Sequence, residues 1–486
     1  MPGEAIAAAS PDEALSELEG SQPPLATPVT AKPVKAELWR AGTLVYTSAG
    51  IAVLFFWLLW GDFALSMRDR SVGPTVQLFL KSLRASDFTM TMLLTFLPPA
   101  IGLVLSPIVS YKSDRFRSRW GRRIPFLLIP TPIAAVAMLG IAYSVPIGAG
   151  LHQLLRGAIE PRTATLIVFG VLWTIFEVAV IISGSVLAGL INDVVPRGRL
   201  GRFYGLFRSV SLIDGMIFNT FLLKFAETHF KLMFAVIAAV FGFGFVAMCL
   251  KVKEGAYPPP TVDPSDHRAG GFFAAIGVYF RECFSRPYYL WCFAAFTLGA
   301  MSFLPVNIFS LYYAKQIGMD IGFYGKLIGA SYMTSLVLAY GLGWMVDRYH
   351  SLRVGIVTLS LYAASAIWGV LNIHDPKTFG IALVAHTVLS GAYFTATASL
   401  GQALLPRSKF AQFASAGGML TSLTTMLLGP ALGFVLDRTD HNYRLTFVLG
   451  FIASITAIGV LFIVHHNFMK HGGTRNYLAP GDVVPV

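Results

Sequence analysis

The chain has 486 residues, of which 55% are hydrophobic and only 13% are charged, and its 37 Lys and Arg outnumber its 25 Asp and Glu. A soluble domain carries about a quarter charged residues, so this composition excludes an ordinary water-soluble protein and indicates an integral membrane protein. The net charge of +12 is scattered over many short segments, which argues against nucleic acid as a partner.

The first stretch of the chain, residues 1–38, comes before any apolar segment. It is rich in Ala, Pro, Ser and Glu and has neither a basic n-region nor an early apolar core. These features predict a disordered cytoplasmic tail and not a signal peptide.

Twelve apolar segments follow, and most run close to or beyond 20 residues, which is enough for a helix to cross the roughly 30 Å core of a bilayer. They lack the period-two alternation of barrel strands, so helices are predicted. The predicted spans are 43–66, 88–111, 124–145, 165–191, 203–223, 232–250, 290–308, 327–346, 354–371, 381–404, 413–436 and 445–464.

The distribution of Lys and Arg predicts the orientation. With both termini in the cytoplasm, the inner segments hold 23 of the 37 basic residues and the outer loops hold 13, while Arg208 lies within a helix. Arg68 and Arg70 are assigned to the first outer loop in this count. The opposite orientation would put the basic cluster Lys112–Arg123 outside, against the positive-inside rule. We therefore expect a multi-pass protein of the cytoplasmic membrane with both termini inside.

A polar segment, residues 251–286, interrupts the series after the sixth span. It contains Pro258–Pro260 and the run DPSDHR, and residues 270–284 have the pattern of an amphipathic surface helix. It divides the predicted protein into an N-terminal bundle (39–250) and a C-terminal bundle (287–466), followed by a tail (467–486).

The two bundles repeat three short patterns in the same order. SYKSDR (110–115) matches GWMVDR (343–348), VVPRGRLGRF (194–203) matches LLPRSKFAQF (404–413), and HFKLMF (229–234) matches NYRLTF (442–447). Parallel repeats of this kind are an architecture of secondary transporters. The sequence therefore predicts an all-α membrane protein with two pseudo-symmetric bundles of six helices.

The loop after the second span, SYKSDRFRSRWGRRIPF, carries an acid at a helix C-terminus, where the helix dipole disfavours it. Asp114 is expected to be stabilised by neighbouring arginines in a contact that breaks as the bundles rock. A purely topological role for the basic cluster is the alternative. The predicted conformational-switch residues are Asp114, Arg115, Gly121, Arg122, Arg123, Gly343, Asp347 and Arg348.

Both Asp-Arg loops resemble the cytoplasmic signature loops of the major facilitator superfamily. The long form with a late Gly121 is similar to the sucrose-transporter and glycoside–pentoside–hexuronide branch of cation–sugar symporters, although Ser110 replaces the usual glycine and Ile124 stands where that branch tends to have a third Arg. Trp173 and Glu177 resemble a Trp and an acid of its fourth helix. The resemblance implies the fold and cation-coupled sugar transport.

Polar side chains inside predicted spans are costly, so each is a functional candidate. A carboxylate suits a cation, amides and imidazoles suit sugar hydroxyls, and an indole suits the apolar face of a sugar. The predicted solute- and ion-binding residues are Asp62, Glu177, Arg208, Asp214, Trp57, Trp60, Trp173, Asn307, His386 and Tyr393. Glu177 is favoured as the coupling carboxylate. The alternatives are a salt bridge from Glu177 to Arg208, exposure of Asp62 at the outer end of the first span, and an interfacial or packing role for each Trp.

The predicted function is secondary active transport of a sugar or glycoside by alternating access, coupled to H⁺ or Na⁺. The alternatives are a transporter of the same fold for a drug-like or lipid solute, and a non-transporting membrane assembly factor of the pigment-associated type. No nucleophile elbow, phosphate loop or metal-ligand spacing is present, so neither an enzyme nor a cofactor is predicted. The expected partners are the solute, the coupling cation and the lipid bilayer.

Overall fold

A computed structural model describes residues 38–257, 269–406 and 409–480 of the chain. The predicted N-terminal tail up to residue 37 and the Pro258–Pro260 run lie outside the described residues.

Twelve helices in the described ranges are long and apolar enough to cross a membrane, which confirms the predicted number. We number them α1 to α12. Their bounds are Ser48–Ser82, Asp87–Arg115, Ile124–Ala142, Pro161–Val194, Arg202–Thr228, Phe230–Lys251, Pro287–Gln316, Ile321–Tyr349, Ser351–Asn372, Pro376–Leu404, Gln412–Arg438 and Arg444–Lys470.

The first helix differs most from the prediction. It runs on through 35 residues to Ser82, so Arg68 and Arg70 lie inside α1, and the assignment of both to an outer loop was wrong. The helix continues because its charges have partners within the protein. Arg68 pairs with Asp69, and Arg70 reaches Ser211 on α5. A charged stretch inside a bilayer is tolerated when it faces such partners.

A two-stranded hairpin precedes α1 and was not predicted. Its strands β1 (Trp39–Ala41) and β2 (Leu44–Tyr46) pair antiparallel, and Gly42 supplies the left-handed φ of +57° at the turn. Thr43 Oγ1 accepts a hydrogen bond from the backbone N–H of Ala256, 2.8 Å away. The hairpin thereby holds the start of the linker that follows α6.

The helices form two halves, α1–α6 and α7–α12, which meet along two seams. Within the halves, α1 packs on α6, α3 on α4, α7 on α12 and α9 on α10. Between the halves, α2 packs on α11 and α5 packs on α8. We call the membrane side that carries the Lys112–Arg123 loop and the linker the linker end, and the opposite side the far end.

The halves are closed at the far end. Asp87 at the start of α2 lies 2.7 Å from His441, and Lys315 lies 2.8 Å from Glu227. Along the α2–α11 seam, Gly433 packs so closely on the backbone carbonyl of Asp87 that no Cβ would fit without a shift. A side chain larger than hydrogen is therefore excluded from this seam in the observed conformation.

The same helices are exposed toward the linker end. Val104 in α2 is 67% exposed and Tyr340 in α8 is 89% exposed. The described ion pairs between the halves, Asp87–His441, Lys315–Glu227 and Lys224–Asp320, all lie at the far end, so an opening between the halves is expected toward the linker end.

The linker contains the predicted amphipathic helix, here Ala269–Phe284, and it docks on the C-terminal half. Glu282 accepts hydrogen bonds from Lys409 at 2.7 Å and from Gln412 at 2.9 Å. The predicted C-terminal tail also docks, because the hydroxyl of Tyr477 donates to the carbonyl of Leu404 at 2.6 Å.

Candidate functional site

Two predicted acids lie buried on α1 and α5, within electrostatic range of each other. Asp62 is 2% exposed and Asp214 is fully buried, and the charge of Asp62 acts on Asp214. Ser66 Oγ donates to one oxygen of Asp62 at 3.3 Å. In the described part of the chain, the other oxygen of Asp62 and both oxygens of Asp214 have no hydrogen-bond partner. Burying such oxygens as anions is costly, and a bound proton or metal cation removes that cost.

Arg70 connects this acid pair to the opposite half. Its guanidinium donates to Ser211 on α5 at 3.0 Å and to the hydroxyl of Tyr332 on α8 at 3.4 Å. The Tyr332 ring packs on Gly215, where an added Cβ would lie 3.0 Å from it. The charge of Arg70 also acts on Asp214. Sequence reasoning missed Arg70 because the charged stretch of α1 was assigned to a loop.

Arg208 is exposed and lies within electrostatic range of Arg70. No described ion pair joins it to Glu177 or Asp214, so the predicted alternative of a Glu177–Arg208 salt bridge was wrong. The opposite charge that acts on Glu177 is Arg68 of α1, which also lies over the Phe176 ring at 5.9 Å. Glu177 is thus buried beside a cation from a neighbouring helix.

The three tryptophans make packing contacts. Trp173 is buried, and its indole N–H donates to the Leu93 carbonyl at 2.8 Å in a π-helical turn of α2. Trp57 lies 5.8 Å from the Lys251 ammonium at the end of α6, and Trp60 packs beside Gly244 of α6. These contacts fit the alternative interpretation, in which the indoles support helix packing.

The polar residues of the C-terminal half meet where α7 is interrupted, between Met301 and Leu304. Asn307 is exposed, and its Oδ1 accepts from His386 Nε2 at 3.0 Å. His386 is buried, and its Nδ1 lies 3.2 Å from the Tyr362 hydroxyl. Asn307 therefore presents an amide whose orientation His386 sets.

Tyr393 is also buried, and its hydroxyl packs so closely against Gly299 that a Cβ added at Gly299 would not fit. It contacts the ring of Phe303 at 5.4 Å. This places Tyr393 in the wall behind Asn307.

At the linker end, the predicted switch loop forms an ion-pair cluster within the N-terminal half. Asp114 lies 2.9 Å from Arg123 and 3.9 Å from Arg122. Both arginines also bind Asp193 at the end of α4, at 2.6 Å and 2.8 Å. Arg115 stacks over Tyr111 at 3.9 Å. Sequence reasoning missed Asp193, whose acidic position before VVPRGR was the only available signal.

The start of the linker completes this cluster. Glu254 accepts from the backbone N–H groups of Arg122, Arg123 and Ile124 at 3.1, 2.8 and 2.7 Å, and so caps the N-terminus of α3. Gly121 has φ +108° and packs directly on Glu254, which explains the glycine. Burial and the nearby carboxylates of Asp193 and Glu254 raise the pKa of Tyr257, whose hydroxyl donates to Asp193.

The matching loop of the C-terminal half lacks such a cluster. Asp347 is exposed, and no described ion pair reaches it. Arg348 lies over the rings of Trp344 and Tyr349 at 5.6 and 5.7 Å, and Gly343 has open space beside it. The two loops therefore have similar sequences but make different contacts.

A set of hydrogen bonds, which we call the lock, joins the two halves at the far end, and the sequence did not predict it. Asp437 at the end of α11 accepts from the N–H groups of Asp87 and Phe88, both at 2.9 Å. The carboxylate of Asp87 accepts from the Tyr443 hydroxyl at 3.1 Å. These partners are separated by about 350 positions in the chain, so no local pattern relates them.

Comparison with known proteins agrees with this architecture. The family model for MFS/sugar transport proteins matches residues 45–408. The chain is 22% identical over 298 residues to the sucrose transport protein SUC4 of Arabidopsis thaliana, and the match covers 57% of each chain, so it spans little more than half of that relative's length.

Solved structures share the fold at low identity. A bacterial homologue of the human lysosomal transporter Spinster, in an inward-facing and occupied conformation, superposes with a TM-score of 0.61 at 14% identity, over 90% of this chain and 100% of the other. A D-xylose-proton symporter gives 0.57 at 13% identity, over 84% and 97%. The chain is therefore a multi-pass membrane protein that belongs to the sugar transport family of the major facilitator superfamily.

Proposed function

We propose that the protein is a secondary active transporter that moves a sugar or glycoside by alternating access, coupled to H⁺ or Na⁺. The observation that carries the proposal is the buried pair Asp62 and Asp214, with three unpartnered carboxylate oxygens beside the contact of Arg70 with Tyr332 across the halves. The printed names of a sucrose transport protein and of a D-xylose-proton symporter support a sugar solute and a coupling ion.

The solute site in this proposal lies between the halves. Asn307 offers an exposed amide from the C-terminal half, and Arg70, Arg208 and Tyr332 offer donors near the acid pair. Amides, guanidinium groups and phenols are the side chains that bind sugar hydroxyls. A polar site of this kind suits a sugar better than an apolar drug-like solute.

Asp214 is the stronger candidate for the coupling carboxylate. Glu177 remains a candidate from its position after Trp173, and it lies in the fields of both Arg68 and Asp69, which pair with each other. Asp214 is buried without a hydrogen-bond partner in the described chain and lies within electrostatic range of Asp62, so binding of H⁺ or Na⁺ at Asp214 would also remove the repulsion between the two acids. A scaffold protein has no use for two buried acids whose oxygens lack hydrogen-bond partners in the described chain, which disfavours the assembly-factor alternative.

The conformation supports the alternating-access part of the proposal. By the positive-inside rule, the excess of Lys and Arg at the linker end supports a cytoplasmic location for this side, with both termini inside the cell. The protein is then inward-facing, with its lock of Asp87, Asp437 and His441 closed on the outside. The Asp114 cluster at the linker end is the group expected to rearrange when the halves rock.

Uptake into proteoliposomes tests the proposal. The purified protein is reconstituted and offered a panel of labelled neutral sugars and glycosides under an imposed H⁺ gradient, an imposed Na⁺ gradient or neither. The proposal expects accumulation of at least one sugar that requires one of the two gradients. Equal uptake with and without both gradients for every transported sugar would refute coupling.

A further inference from the structure

We propose that the C-terminal half binds a phosphate-bearing anion at its linker end, in a cavity around the start of α9. The cavity has a volume of about 440 Å³, and its wall includes Arg348, His350, Ser351 and Arg353 together with Ala403. This site is separate from the solute path and does not depend on the identity of the solute.

The first argument is a buried hydroxyl without a partner. Ser351 is 2% exposed, lines the cavity, and its Oγ has no hydrogen-bond partner among the described residues. Ser351 is the first residue of α9, a helix of 22 residues. The positive end of the helix dipole and the unpartnered hydroxyl therefore lie together at one wall. His350 already accepts hydrogen bonds from the N–H groups of Leu352 and Arg353, so the helix contributes its dipole, which favours an anion, and the side chains contribute the donors.

The second argument is the pair of arginines without a bound acid. Arg348 lies over two aromatic rings, and Arg353 donates through Nε to His465 at 3.4 Å. The exposed Asp347 also lines the cavity, yet no described ion pair joins it to either arginine. One free acid faces two arginines, so the wall keeps a net positive charge.

Comparison of the two halves shows which acids of the N-terminal half have no counterpart at this cavity. In the N-terminal half, Arg122 and Arg123 are neutralised by Asp193 and capped by Glu254. Asp193 directly precedes VVPRGR, and the residue that directly precedes the matching LLPRSK is Ala403, which lines this cavity.

Glu254 follows the pattern HFKLMF, and the residue at the same distance after the matching pattern NYRLTF is Asn467. Arg348 matches Arg115 of the N-terminal half, and the positions that match the acids Asp193 and Glu254 carry uncharged residues. A bound anion would supply the missing negative charge at the position that Ala403 leaves open.

His350 adds a neutral donor to the site. Its Nδ1 accepts from the backbone N–H of Leu352 at 3.2 Å, so the proton of the neutral ring lies on Nε2. Burial, followed by the charges of Arg353 and His465, lowers the pKa of His350 and keeps the ring neutral.

The chemistry of the wall selects a phosphate group. Two guanidinium groups, a hydroxyl and a helix N-terminus together match the several oxygens of a phosphate, to which arginine binds bidentately. The cavity lies at the ends of α8 and α10, at the level of the lipid headgroups, so the phosphate can belong to an anionic lipid or to a free phosphate ester.

Binding measurements on the purified full-length protein test the proposal. Inorganic phosphate is titrated by calorimetry, and nanodiscs of phosphatidylglycerol are compared with nanodiscs of phosphatidylcholine by native mass spectrometry of retained lipid. The double variant Arg348→Gln, Arg353→Gln is expected to weaken binding of the anion at least tenfold. Ser351→Ala is expected to weaken it several-fold. Arg438→Gln, an arginine over Phe434 at the far end, is the matched control and should bind like the parent.

A gain-of-charge variant makes the test specific. Ala403→Asp restores the acid of the N-terminal half, so it should weaken binding at least tenfold while the protein keeps its thermal midpoint. Retention of phosphatidylglycerol without phosphate binding identifies a lipid site, and phosphate binding identifies a soluble ligand. Binding of neither anion, or binding that Ala403→Asp and the double variant leave unchanged, overturns the proposal.

Discussion

Asp62 on α1 and Asp214 on α5 are buried within electrostatic range of each other, and three of their four carboxylate oxygens have no hydrogen-bond partner in the described chain. The pair also lies close to the opposite half, because Arg70, which is next to it, donates a hydrogen bond to the hydroxyl of Tyr332 on α8. We expect a change in the charge of the acid pair to alter the contact of Arg70 with Tyr332 between the halves. This relationship is the physical basis for ion coupling in our account.

The ion-pair cluster at the linker end predicts a kinetic defect. Asp114→Asn removes the contacts with Arg122 and Arg123 but lies far from the solute site, so transport should slow roughly tenfold or more, the effect of about 1.4 kcal/mol. Solute affinity should stay within a few-fold of the parent. Initial uptake rates and equilibrium binding of the transported sugar measure the two quantities.

Asp347→Asn is the matched control, because no described ion pair reaches Asp347 in this conformation. It should slow transport less than Asp114→Asn. Loss of solute binding with normal turnover in Asp114→Asn would contradict the switch assignment.

The close seam at the far end predicts a shift in conformation. Gly433→Ala puts a Cβ against the backbone carbonyl of Asp87, which cannot move aside cheaply, so the far end should open more often. Labelling of cysteines introduced along the linker-end opening should slow accordingly. Gly341→Ala, in α8 with open space around it, is the control. Unchanged labelling in Gly433→Ala would show that the seam does not hold the far end closed.

The cap on α3 predicts a loss of stability. Glu254→Ala removes the acceptor of three part-buried backbone N–H groups, and the loss of an N-cap acceptor costs about 0.5–2 kcal/mol. The thermal midpoint in detergent should fall by several degrees. Glu282→Ala breaks an exposed pair with Lys409, which contributes about 0–1 kcal/mol, and should leave the midpoint almost unchanged. Equal effects of the two variants would rule out the capping role.

The orientation predicts which side of the membrane is labelled. Ser118 is exposed in the loop before α3, and the native cysteines are buried, so Ser118→Cys gives a single reactive thiol. It should resist an impermeant thiol reagent added outside intact cells. Lys377→Cys at the far end should react readily in the same cells. The reverse pattern would invert the topology.

The sequence predicted those parts of the fold that depend on local composition. Runs of apolar residues define the twelve helices, and repeated loops reveal the two halves. The extension of α1 was missed because Arg68, Asp69 and Arg70 look like a loop until the Arg68–Asp69 pair and the contact of Arg70 with Ser211 on α5 are known.

The candidate site was predicted only in part, for the same reason. Asp62 and Asp214 were found as costly intramembrane acids, but sequence alone paired Arg208 with an acid. In the fold, Arg70 lies near Asp214 and Arg68 near Glu177. Charge spacing along one helix does not specify which neighbouring helix supplies the partner.

The central claim is that the Asp62 and Asp214 pair couples an ion to solute movement, and Asp214→Asn tests it most directly. In proteoliposomes, this variant should lose gradient-driven accumulation yet still exchange labelled for unlabelled sugar at equilibrium, because the solute site and the rocking of the halves remain. Glu177→Gln, measured in parallel, should keep at least part of the accumulation. Full uphill accumulation by Asp214→Asn, or its loss in Glu177→Gln alone, would contradict the account.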